Sequence, residues 1–178
     1  MTFSFYFYPE QLLLSFVKKS LRNQTPIRNE NLGENAVCVF ACVAAIESTL
    51  NSLLIKQGDI LHFDEMGMRS KIETIAVIGK QDIDWGMKPW QDISQLIKVR
   101  HWLTHYKVDR NKSLGLEGGC GEWIKKPKIN PLEEFSKESI EKYYIATKNA
   151  LMILATGLNL EKEYKFLNDE DYTAFLAG

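Results

Sequence analysis

The chain has 178 residues, 22 Lys and Arg against 23 Asp and Glu, and a net charge of −1. That balance excludes a protein holding nucleic acid by a generally basic surface, so any RNA or DNA contact must rest on a local patch. With 45% apolar and 25% charged residues the sequence reads as one folded domain, residues 1–178, rather than a disordered chain.

Pro9 and Glu10 open a first helix, because proline suits a first turn and an acidic residue suits the positive end of the helix dipole. It runs to about Arg22, and "RNQTPIRNENLGE" follows as a polar loop. Next, Val39, Val43, Ile46, Leu50 and Leu53 recur at four and three spacing, which predicts a long helix stopped at Gly58. Phe40, Ala44 and Ala36 add a second apolar side, so its first half is expected to be buried nearly all round. Cys38 and Cys42 fall within it as buried free thiols, and with Cys120 they make no disulfide framework.

A shorter helix is expected at about Gly67 to Ile78, although "ETIAVIG" is strand-like and blurs its end. After a loop containing Pro89, Ile93, Leu96, Ile97 and Leu103 predict a helix from Trp90 to about Tyr106. Residues 107–135, with four glycines and two prolines among basic residues, read as a long irregular loop. A last helix, about Ser136 to Thr156, presents Ile140, Tyr144, Leu151 and Leu154, with Thr147 completing the row. The tail adds a short docked helix. Strand candidates are few, so the fold class is all-α, a bundle of four to five helices.

The uncharged runs Asn35 to Ile46 and Asn149 to Leu160 fall short of the roughly 18 to 20 residues that cross a bilayer. The aromatic start lacks the basic opening and small-residue cleavage site of a signal peptide. No membrane partner and a cytoplasmic location are the expectation.

Chemistry concentrates in "LIKVRHWLTHYKVDR", residues 96–110. His101 and His105 are four apart and share a helix face, a spacing at which two imidazoles can bind a metal with Asp109 as third ligand. Arg100 and His105 are five apart, about 140° around an ideal helix, so one chain does not aim both at one point. They converge if the helix frays at His105 or if a second copy completes the site across a two-fold axis. An imidazole trades protons near neutral pH, and a guanidinium holds phosphate by paired hydrogen bonds. Lys98, Lys107, Arg110 and Lys112 surround them as a local basic patch. The plain alternative is a helix C-terminus, which favours cations and histidine through its dipole.

"RHWLTH" resembles the RNA-cleaving motif of the HEPN superfamily: Arg, a polar residue, three variable residues, then His. "ACVAAIESTLNSLL" is similar to the early helix of that family, and the resemblance covers about residues 34–157. It implies a HEPN-like helical domain that dimerises with two motifs facing one composite cleft. It further implies metal-independent RNA cleavage by the ribose 2′-hydroxyl, with no cofactor. His105 would then be the general acid and base, Arg100 the phosphate holder, and His101 an orienting or RNA-contacting group. The expected partners are RNA, a second copy, and an antitoxin or other defence-system protein. Lys107 stands where a toxin subgroup carries tyrosine, so that subgroup is not implied. A non-catalytic helical interaction or nucleotide-binding module retaining the motif is the alternative.

Glu47 either pairs with Arg100 across the helices, if buried, or sits where its helix emerges into solvent. His62 reads as a structural or surface histidine. Trp85, Trp90 and Trp102 read as packing residues, while Trp123 lies in the glycine-rich loop beside Lys125 and Lys126, where it could stack on a base.

Overall fold

Three-and-four apolar spacing produces helices, and the packing of their stripes decides the architecture. The computed structural model describes residues 8–24, 31–58, 63–105 and 129–167, and every regular element among them is helical. They are α1 (Pro9–Asn23), α2 (Leu32–Lys56), α3 (Met68–Ile78), α4 (Trp90–His105), α5 (Pro131–Glu134) and α6 (Lys137–Gly157). Single 3₁₀ turns lie at Phe63–Glu65 and Lys165–Leu167. The count of α-helices among the described residues is six rather than four or five. The four-residue α5 lies inside the segment expected to be irregular loop.

α2 is the central element, with α1, α3, α4 and α6 all packed on it. Val39, Val43, Ile46, Leu50 and Leu53 are buried, as their spacing predicts. The second apolar side behaves differently: Phe40 is 40% exposed and neighbouring Val37 is 51% exposed, with Ala36 and Ala44 half-buried. The neighbouring helices therefore leave one strip of α2 uncovered. By length and composition α2 could cross a bilayer, which the count of uncharged residues overlooks. In this fold 61% of its apolar window is buried against protein. Cys38 and Cys42 are free and buried.

The β-branched run in α3 is helical to Ile78. Ile72, Ile75 and Ala76 share the buried face and Val77 is left exposed, so packing outweighs local strand preference. Its end lies against the end of α6: a Cβ on Gly79 would sit 3.1 Å from the Gly157 carbonyl carbon. Glycine eases that approach, since a larger residue would need the facing backbone to give by a few tenths of an ångström. Ser136 caps α6, its Oγ accepting from the Ser139 N–H at 3.2 Å. The fully buried tyrosine of α6 is Tyr143, while Tyr144 is half-buried. After α6, Tyr164 and Leu167 return to the core.

Burial of weak acids gives this core an alkaline weakness. Desolvation, aided by the neighbouring Cys38, pushes the Cys42 thiol from 9.0 up to about 12. Burial also raises Cys38, Tyr143, Tyr144 and Tyr164. Each keeps its proton in the folded chain at a pH where the unfolded chain has lost it. Stability is then full below about pH 9 and falls as pH rises. The Cys42 share is spent by about pH 12, at about 1.4 kcal/mol per pH unit. Denaturant unfolding between about pH 8 and 10.5 should show this fall, less steep by about one proton in Cys42→Ala. Equal slopes would mean that the thiol is not protected.

Candidate functional site

α4 buries Trp90, Ile93, Leu96 and Val99, and that stripe dictates where the motif residues lie. Arg100 flanks it and is half-buried, while Lys98, His101, Thr104 and His105 are exposed. The helix stays regular through His105. His101 and His105 are brought together one turn apart, their ring centroids 4.4 Å apart and planes at 42°. Arg100 and His105 remain about 140° apart around the axis, as a regular helix requires. The hydroxyl of Thr104 is shared between the carbonyls of Arg100 and His101, each at 3.1 Å. It bonds back to the preceding turn, adding to the helical bonds of those carbonyls.

α4 packs on α6 and α2 and is tied to the segment before α6. Trp102 meets the Phe135 ring at 6.2 Å, and Phe135 is buried. The Phe135 carbonyl accepts from Asn35 Nδ2 at 2.7 Å, and Asn35 in turn accepts from Gln24. On α5, Glu134 accepts from the Tyr143 hydroxyl through one oxygen and from Gln95 Nε2 at 2.7 Å through the other. Burial first, then the bond to the Glu134 carboxylate, hold the Tyr143 hydroxyl far above the ordinary tyrosine range. The tyrosine thus stays a donor at neutral pH and ties α6 to α5 and α4. Residues 129–135 are a brace for the motif helix. Sequence reasoning passes over them, yet a local signal exists: Asn130-Pro131 before Glu133 and Glu134 is a helix-start pattern. Asn130 Oδ1 accepts from the Leu132 N–H at 3.2 Å.

Glu47 is exposed, and among the described residues no ion pair joins it to Arg100. Of the two expected positions for this carboxylate, the solvent-facing one is found, because Glu47 continues the strip of α2 that no helix covers. Lys107, Arg110 and Lys112 lie outside the described residues, as do Asp109, His62, Cys120 and Trp123. No group of three metal-ligating side chains occurs among the described residues. Trp85 donates to Glu73 at 3.0 Å under the Arg69 guanidinium, 4.4 Å from the ring. Trp90 packs edge-on against it.

A groove of about 780 Å³ runs between the first turn of α4 and α6, past Lys88, Asp92, Glu138, Glu141 and Lys142. It includes none of the motif residues and starts about 12 Å along α4 from Arg100, by helical rise. Neither family models, nor curated proteins, nor solved structures gave a match to this chain. The site must be read from its own residues.

Proposed function

We propose that the chain is a metal-independent endoribonuclease, working as a homodimer in a toxin or phage-defence system. The observation that carries this reading is the motif at the end of α4. Arg100 flanks the packed stripe, and His101 and His105 stand exposed in ring contact. Resemblance to the HEPN motif supplies the chemistry. His105 takes the proton of a ribose 2′-hydroxyl, whose oxygen attacks the adjacent phosphorus. Arg100 faces the charge that grows on the phosphoryl oxygens. The P–O5′ bond breaks, the leaving oxygen takes a proton, and a 2′,3′-cyclic phosphate and a 5′-hydroxyl remain. His101 holds the His105 ring, and Lys98, with Lys107, Arg110 and Lys112 of the basic sequence patch, binds the RNA backbone. Facing motifs from two copies supply in trans the partner that helical geometry withholds in cis.

Tag-free protein incubated with RNA in excess EDTA should cut it and leave those two end groups, seen by end-labelling and mass spectrometry. Folded protein inert towards a broad set of RNAs would overturn the assignment. The second reading, a non-catalytic helical interaction or nucleotide-binding module, draws on exposed Val37 and Phe40. An inert chain recovered with a stable partner would favour it.

A further inference from the structure

Away from the motif, a hollow of about 660 Å³ opens between the start of α1, the second half of α2 and the turn after α6. Its floor is Glu10, which is 1% exposed. One carboxylate oxygen, Oε2, accepts from the Ser48 hydroxyl at 3.0 Å. The other, Oε1, is buried with no hydrogen-bond partner among the described residues. Lys56 also lines the hollow, but it pairs with Glu163 and lies over the Tyr164 ring, 5.5 Å from its centroid. Ser52 accepts from the Tyr164 hydroxyl at 3.1 Å, and Tyr8 forms a wall.

A buried carboxylate oxygen with no partner among the described residues calls for a donor, and a positively charged donor answers best. The described lining carries two carboxylates against one ammonium, which disfavours an anion. Serine and tyrosine oxygens add acceptors, and an aromatic wall suits a cation. The volume is that of a small-molecule site. A divalent metal is poorly served, since no third metal-ligating side chain joins Glu10 and Glu163 among the described residues. We propose that this hollow binds a small organic molecule through a primary ammonium group that donates to Glu10 Oε1 beside Ser48 and Ser52.

The test titrates the tag-free full chain with 1,4-diaminobutane, by calorimetry and by melting midpoint. Tetramethylammonium, a cation with no N–H, and 1-butanol, which has no charge, are the controls. The diamine should bind and raise the midpoint, and the controls should not. Glu10→Gln should weaken diamine binding by at least about tenfold. Its ligand-free midpoint should match or exceed that of the parent, because an amide is cheaper to bury than a carboxyl group with an unpartnered oxygen. Ser48→Ala, which removes an acceptor oxygen beside the ammonium, should also weaken binding and keeps the test readable if Glu10→Gln does not fold. Diamine binding unchanged in a folded variant, equal binding of tetramethylammonium, or no diamine binding to the folded parent would overturn the proposal.

Discussion

Alanine at Arg100 or at His105 is expected to lower RNA cleavage by about a thousandfold or more, the scale of losing a general acid–base or a transition-state charge partner. The folded state should hardly notice. His105 is exposed on the last turn of α4, and its one described ring contact is with His101; surface changes of this kind stay within about 0.5 kcal/mol. Arg100 is half-buried, so its alanine variant also loses packing of the side-chain stem. Arg100→Lys separates the two effects. It keeps the charge and most of the stem but not the two-pronged donor geometry, so stability should return while cleavage does not. His101→Ala should fall less, by about tenfold, if its role is to hold the neighbouring ring. The check is initial cleavage rate beside a melting curve for each variant. Full activity in folded Arg100→Ala or His105→Ala removes that residue from the mechanism and overturns the proposed pair.

The second large effect lies in the core. Tyr143→Ala should destabilise the fold by about 3–5 kcal/mol, the range for deleting a fully buried aromatic side chain. Tyr143 is 0% exposed, and its hydroxyl holds Glu134, which Gln95 of α4 also holds. Tyr143→Phe isolates the hydroxyl. It should cost about 1–2 kcal/mol, because Glu134 loses a donor while the ring still fills its space. Denaturant unfolding at pH 7 measures both. If Tyr143→Phe matches the parent, Glu134 is satisfied by solvent and α5 does not brace α4 through this bond.

These two sites show what a sequence exposes and what it hides. The repeat from Val39 to Leu53 foretells the buried face of α2, because one side chain per turn must meet the same neighbour. It cannot tell how many neighbours arrive. Val37 and Phe40 are as apolar as the core residues, yet they lie on the side where no helix packs. Tyr143 and Tyr144 differ by a single position, or about 100° of rotation. The choice between them falls to Tyr143 because Glu134 and the α4 side lie there. Glu134 is placed by a four-residue helix too short to show periodicity. Glu10 announces itself as an acid at a helix start, but its hydrogen-bond partner, Ser48, is 38 residues away.

The geometry of the motif helix was more legible, for a physical reason. Five-residue spacing on a regular helix forbids Arg100 and His105 from converging, and α4 is regular through His105. What spacing does not state is which surface faces them, nor that Glu47 points away into solvent.

The proposed site is shared between two copies, and mixing inactive subunits tests it most directly. Arg100→Ala and His105→Ala chains, unfolded together and refolded, form mixed dimers in which one copy supplies the arginine and the other the histidine. Activity should return to about a quarter of the parent level, since about half of the dimers are mixed and each carries one complete pair. A mixture as inactive as either variant alone, with mixed dimers verified by mass, would contradict a site completed in trans.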